Sequence, residues 1–325
     1  MNSVNVTDIQ LNADQAASII KLQFPDVSLS SVAHLGEGCD STAFEVNGQL
    51  VFRFPKRADV EQQLAIESRI LPVLAEQSPL PIPVFCFHGQ PSEAFPYHFV
   101  GYRKLHGVPA IHVDRRWMPF EKWVPAMGRF LSWLHQFPVR DAAELGVPRQ
   151  DVTALIEEVR TDALDDFHLL KQVMEAAPLE TWYAYFQKGC QPLAAELASA
   201  VVHRDLAAEH VLYDLRTQEL TGIIDWSEIA ISDPSLDLAG IFHWGGQACI
   251  DALRSEYVGT IDEPVLGRAR FLAACRGVAD VAFGLKTGRG EYVEAGRRAL
   301  GLCLGGLEQV TQILSGRIIS DSFTP

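Results

Sequence analysis

The sequence predicts an α+β protein of two lobes, β-rich over residues 1–103 and mainly helical over 104–325. Three observations lead there. Between Ser30 and Pro55, short runs rich in Val, Phe and Ala alternate with Gly36, Gly38 and Asn47-Gly48, the pattern of an antiparallel sheet. Past residue 104 the apolar residues recur mostly at helical spacing. Inside that helical half, one stretch from Val201 to Trp226 returns to strand and loop and carries His203, Asp205, His210 and Asp225.

In chain order, residues 8–22 read as a short helix with Asp14 as N-cap, an apolar face of Ala16, Ala17, Ile19, Ile20 and Leu22, and Pro25 helping to end it. A first strand then runs into a turn at Gly36 and Gly38, a second holds Ala43, Phe44 and Val46, and Asn47-Gly48 is the two-residue hairpin before Leu50 to Phe54. From Asp59 to Leu74, Leu64, Ile66, Ile70 and Leu74 share a helix face, with Pro72 as a signal for an early stop. Residues 79–83 form a turn-rich connector, and PYHFVGYRKLHG reads as a strand passing into a polar crossing at Tyr102 to Gly107, where the lobes divide. Phe120 to Phe137 is a helix, residues 151–198 hold one or two acid-rich helices, and the chain is helical again from Asp237 to about Leu314, interrupted by glycines near 245–246 and 284–290.

A chain of 325 residues, 48% of them hydrophobic, is long enough for two cores. Its 27 Lys and Arg against 41 Asp and Glu leave a charge of −14, which repels nucleic acid and favours a small cationic partner. Six scattered cysteines without a CxxC pair fit reduced thiols, and the first residues have neither a basic run nor an apolar core. The expectation is a cytoplasmic monomer with no nucleic-acid or membrane partner.

The stretch 201–226 suits phosphoryl transfer. That chemistry needs a carboxylate near the accepting hydroxyl, a ligand set for Mg²⁺, a cation on the phosphates and a backbone cradle. Asp205, in a loop after an apolar run, is the carboxylate that accepts or orients the hydroxyl proton. Asp225, after Gly222-Ile223-Ile224, stands where protein kinases place a metal-binding Asp, and His210 stands where they place Asn. Imidazole is a poorer Mg²⁺ ligand than an amide oxygen, so His210 either ligates the ion directly or acts indirectly, through water or by orienting Asp225.

HRDLAAEHVLYD followed by GIIDWSEIAISDPSLDLA resembles the paired signature of the aminoglycoside phosphotransferase family, the kinase-like enzymes that inactivate antibiotics. His in place of Asn is similar to the aminoglycoside 2″-phosphotransferase and macrolide 2′-phosphotransferase branches; Asp-Trp-Ser-Glu resembles the macrolide branch and AISDP the 2″ branch. The likeness covers roughly residues 30–245 and implies a two-lobed protein-kinase-like fold. It implies a nucleotide loop at LGEGCDSTAFEV, with Gly36, Gly38, Ser41 and Thr42 at the phosphates.

The cation of the third strand is then Arg53, whose ion-pair partner is Glu67, with Glu61 as the fallback. Period-two alternation puts Val51 and Arg53 on one face and Phe52, Phe54 and Lys56 on the other, which removes Lys56 as a substitute. Tyr102 and Lys104 fall in the implied hinge over the purine. Asp237 is implied to be a structural brace, Glu228 and Asp233 are candidate substrate contacts, and His135 is assigned to packing. The expected reaction moves the γ-phosphoryl group of GTP or ATP, with Mg²⁺, to a hydroxyl of an aminoglycoside or macrolide. The alternatives are a metabolic kinase for choline, a sugar or an amino alcohol, and a nucleotide-binding protein without turnover.

Overall fold

The computed structural model describes residues 9–38, 40–114, 117–174, 178–190 and 197–305. The N-terminal lobe begins with α1 (Ala13–Gln23), whose cap is Asn12 and not Asp14. Asn12 Oδ1 accepts from the Gln15 amide at 2.9 Å and Gln15 Oε1 accepts from the Asn12 amide at 2.9 Å, so two orphan donors satisfy each other's side chains. Asp14 sits in the first turn, where its charge meets the positive end of the helix.

Five antiparallel strands follow: β1 (Val32–Glu37), β2 (Ser41–Val46), β3 (Leu50–Pro55), β4 (Phe85–Gly89) and β5 (Phe99–Arg103), in the order β1-β2-β3-β5-β4. Alternation sorts β3 as expected. Phe52 and Phe54 join Phe44, Val46, Phe95 and Phe99 beneath α1, with Phe54 stacked on Phe99 at 4.5 Å. Val51, Val100 and Tyr102 join the other core, which α2 (Ala58–Ala75) covers with Leu64, Ile70, Leu71 and Leu74. Pro72 does not stop α2: three residues from the end, its missing N–H removes a single bond, and the buried face holds the last turn in place.

β5 ends at Arg103, and the next strand, β6 (Val108–Pro109), pairs with β8 (Val211–Asp214), which pairs with β9 (Glu219–Ile223). A second small sheet joins β7 (Ala200–Val202) to β10 (Ala230–Ser232). Around these lie α3 (Phe120–His135), α4 (Val139–Glu144), α5 (Val152–Asp166), α6 (Leu179–Lys188), α7 (Ser235–Leu253), α8 (Glu263–Thr287) and α9 (Gly290–Leu304). α3 stops two residues before the expected Phe137, ahead of Pro138, and Trp123 stacks on Trp244 at 4.2 Å to join it to α7.

The glycine interruptions take two forms. Gly246 kinks α7 at φ 66°, whereas α8 runs through Gly284 and is capped by Gly288 in the left-handed conformation. The expected helix to Leu314 extends past the described residues. One further glycine sets the site: a Cβ on Gly240 of α7 would lie 1.7 Å from the Leu206 carbonyl oxygen, so only glycine lets α7 pack against the loop that carries Asp205.

Candidate active site

The loop between β7 and β8 is held from below by Asp237 of α7. Its two carboxylate oxygens accept the His203 amide at 2.9 Å and the Arg204 amide at 2.8 Å, and His135 Nε2 lies 3.0 Å from the same group. The brace assignment for Asp237 and the packing assignment for His135, a satisfied histidine at the end of α3, agree with this geometry. Arg204 adopts φ 71°, a left-handed conformation that costs a non-glycine residue about 1–3 kcal/mol. The two amide bonds to Asp237 offset that cost and turn Asp205 out of the loop. Burial lowers the pKa of His203 below the usual range; the neutral ring donates its Nε2–H to the Ile224 carbonyl at 3.1 Å and packs on Trp226.

Asp225 follows β9 at φ 61°, a second left-handed residue, and its carboxylate is the meeting point of the two lobes. Oδ1 accepts from Ser227 Oγ at 3.0 Å and lies 3.5 Å from Arg53 Nη2; Oδ2 lies 3.6 Å from His210 Nε2. Enclosure by protein would by itself raise its pKa, but Arg53 and His210 outweigh it and hold the carboxyl at about 2. The His210 Nδ1 is 2.7 Å from the Asp205 carbonyl oxygen, and because a carbonyl only accepts, that nitrogen donates; burial opposes charge on the ring, but Asp205, Asp225 and Glu209 outweigh it and raise its pKa, so Nε2 faces the Asp225 carboxylate as its positive partner.

On the N-terminal lobe's side Arg53 Nη1 donates to Glu67 Oε2 at 2.8 Å, and Glu67 is 1% exposed. Glu61, the fallback partner, instead accepts from the His98 amide. Burial opposes the charge on Arg53, yet Glu67 and Asp225 outweigh it and raise its pKa further above the usual range. Tyr102 is buried within the field of Arg53, Glu67 and Asp225, its phenol pushed up to about 12 mainly by burial. Its ring packs in the core against Phe85, centroids 5.8 Å apart, and its backbone is paired in the sheet with Val51 and Phe85.

Several expected residues take other positions. Lys104 pairs its ammonium with Glu45, and its amide donates to the Gln49 carbonyl at 2.8 Å. Thr42 is buried on the face of Phe44 and Val46, while Ser41 shares the Arg53 face with Ala43, and Ser41 Oγ is buried without a hydrogen-bond partner. Gly36 lies in β1 with nothing within 4 Å of where its Cβ would be, and Gly38 closes the turn with its amide on the Ser41 carbonyl at 3.1 Å. Lys56 lies past the end of β3, where the alternation stops, and its Nζ donates to the Gly38 carbonyl at 2.8 Å. Asp233 is fully buried in an ion pair with Arg268 at 2.9 Å and caps the Ser235 amide; it faces the core of the helical lobe, not a groove. Glu228 does stand at the site, paired with Arg204 at 2.6 Å.

Two residues that motif reasoning missed complete the arrangement. Arg276 of α8 donates to Asp205 Oδ1 at 2.8 Å and to Glu209 Oε1 at 2.7 Å. Glu209 lies inside the quoted motif, but Arg276 comes 71 residues after Asp205 in a helix with no local signal.

Residues 31–272 match the phosphotransferase enzyme family APH. The chain belongs to that family. The fold agrees over nearly the whole length: the complex of an aminoglycoside phosphotransferase, APH(2″)-IIIa, with GDP and kanamycin is 26% identical with a TM-score of 0.68, covering 93% of this chain and 99% of that one. A macrolide 2′-phosphotransferase of type I, 23% identical with a TM-score of 0.58 over 90% of this chain and 98% of that one, shares the fold. A 47-residue segment, 14% of the chain, is 47% identical to the viomycin phosphotransferase of Streptomyces vinaceus. The chain spans less than two thirds of the curated relatives it matches, 16% of that enzyme and 60% of the Bacillus subtilis protein YcbJ, which is 25% identical over 198 residues.

Family membership implies a divalent metal, and the donor set is compatible with one. Asp225 is ionised, and His210 Nε2 is oriented toward it by the bond at its other nitrogen. No group of three such side chains encloses a cation among the described residues. Mg²⁺ does not need one, because it binds through one or two protein groups and completes its shell with phosphate and water. When bound it would neutralise charge on the phosphates. Among the described residues no helix is long and apolar enough to cross a membrane.

Proposed function

We propose that this protein transfers the γ-phosphoryl group of a nucleoside triphosphate, GTP before ATP, to a hydroxyl of an aminoglycoside-type antibiotic, with Mg²⁺ held by Asp225 and His210. The observation that carries the reading is the convergence of Asp205, His210, Asp225 and the Arg53–Glu67 pair from four separate segments onto one point. The preference for GTP and for an aminoglycoside rests on the relative solved with GDP and kanamycin.

In this reaction the acceptor oxygen bonds to the γ-phosphorus as the bond to the β,γ-bridging oxygen breaks, and the nucleoside diphosphate leaves. The hydroxyl proton passes to Asp205 and then to solvent. Arg53, fixed by Glu67, meets the phosphates from the N-terminal lobe, and the turn at Gly38 with the unpaired Ser41 hydroxyl lies on the same side. Positioning and charge neutralisation supply most of the acceleration.

The test is release of nucleoside diphosphate from GTP and ATP across aminoglycosides, macrolides, viomycin, choline and simple sugar alcohols. Release is expected with an antibiotic acceptor and is abolished in Asp205→Ala with the melting temperature retained. An active Asp205→Ala enzyme, or release with choline or sugar alcohols alone, overturns the reading.

A further inference from the structure

Arg276 has no role in the family signature or in the nucleotide half of the site, yet it is the cation closest to the proposed catalytic carboxylate. α8 carries it across to the loop after β7, where its two terminal nitrogens reach Asp205 Oδ1 at 2.8 Å and Glu209 Oε1 at 2.7 Å. A planar guanidinium sets the direction of both bonds, which a point-like ammonium does not. The other Asp205 oxygen, Oδ2, lies 3.4 Å from His210 Nδ1. Asp205 is therefore restrained at both oxygens while its side chain stays 36% exposed to the groove.

The openness of this cluster separates it from a structural ion pair. Arg268 and Asp233, on the same helix and its neighbouring loop, are 0% exposed, as a pair that only holds the core together would be. Arg276 and Glu209 are 25% and 18% exposed, so solvent reaches their ion pair and holds its contribution to stability below that of the buried one. What Arg276 does control is the direction of Asp205. Without it, two carboxylates that now share one guanidinium would repel each other, with only His210 to restrain Asp205.

We infer that Arg276 is a positioning residue: through its fork to Asp205 and Glu209 it aims the Asp205 carboxylate at the acceptor hydroxyl, and Glu209 serves to orient Arg276. This rests on the phosphotransferase reading above. An acceptor misaligned by about an ångström loses on the order of 100-fold in rate.

The experiment follows nucleoside-diphosphate release from GTP and ATP with Mg²⁺, using the best acceptor from the screen and water alone, in wild type, Arg276→Gln, Arg276→Lys, Arg276→Ala, Glu209→Gln and the double variant of Arg276→Gln with Glu209→Gln. Arg276→Gln is expected to lower kcat by ~100-fold while the nucleotide KM and the nucleotide-induced shift in melting temperature stay at wild-type values. Arg276→Lys recovers part of the loss, added guanidinium ion restores part of the activity of Arg276→Ala, and Glu209→Gln adds little to Arg276→Gln. If Arg276→Gln turns over like wild type, the inference alone falls. If nucleotide affinity and melting temperature drop together with kcat and guanidinium restores nothing, Arg276 is structural and the inference falls. A wild-type protein whose diphosphate release is no faster with any acceptor than with water alone overturns the phosphotransferase reading and this inference with it.

Discussion

His210 and Asp225 face each other with Nε2 3.6 Å from Oδ2, and the far nitrogen of the same ring is tied to the Asp205 carbonyl at 2.7 Å. One imidazole thus links the residue proposed for the acceptor to the residue proposed for the metal. An amide oxygen suits Mg²⁺ better than imidazole does. His210→Asn is expected to keep turnover and to half-saturate at an equal or lower Mg²⁺ concentration, whereas His210→Ala, with neither donor, requires ~10- to 100-fold more. Rate measured against Mg²⁺ concentration decides between them; indifference of both variants to Mg²⁺ would remove His210 from the metal site.

The Arg53–Glu67 pair is closed to solvent, and removing one member leaves a buried charge without its partner. Glu67→Ala is expected to lose about 3–5 kcal/mol of stability in urea unfolding. Arg53→Lys should retain most of the stability and lose nucleotide affinity, because one ammonium does not span Glu67 and Asp225 as the guanidinium does. Equal affinity for GTP and ATP in Arg53→Lys and wild type would count against the phosphate role.

Acid should weaken the acceptor side in a defined window. Burial opposes the charge on Glu209, but Arg276 and His210 overcome it and hold its pKa at about 2, below the roughly 4.3 of an unfolded chain. The folded state therefore binds fewer protons, so this contribution is fully present above about pH 4.3 and fades as pH falls toward 2. The difference in urea midpoint between wild type and Glu209→Gln should be constant from neutral pH down to about 4.3 and shrink below it. A difference that grows on acidification contradicts the assignment.

Arg268→Met leaves Asp233 charged and alone in the core, and Arg268 Nη1 already lacks a partner in the folded protein. The expected cost is again about 3–5 kcal/mol, with the KM for any acceptor unchanged in the fraction that remains folded. A selective rise in acceptor KM at full stability would return Asp233 to the list of substrate contacts.

How much was legible depended on whether a residue's role is local. The two faces of β3 and the Arg53–Glu67 pair follow from period two, helical spacing and charge, and they hold; the hairpin after β2 is also there, but with a three-residue loop, Asn47-Gly48-Gln49, because Val46 pairs with Leu50. The same alternation, applied to β2, would have moved Thr42 to the apolar face. The N-cap of α1 was misplaced because Asn12 and Asp14 are both good caps, and only the reciprocal bonds with Gln15 choose between them. Whether the Lys104 amide is paired is likewise set by the approach of the Gln49 carbonyl, not by residue type.

The sequence by itself determined the two-lobed α+β architecture, the family and the identities of Asp205, His210 and Asp225, because those residues lie in one short stretch whose strand-loop-strand pattern carries its own geometry. The tertiary structure decided the fates of the acidic and basic residues outside it. Asp233 went to the core and Glu228 to the site, although five residues separate them, and Arg276 came from α8 to hold Asp205. A charged side chain has its role set by the partner within about 4 Å, and for these residues that partner is brought near by helix packing, which no local pattern encodes.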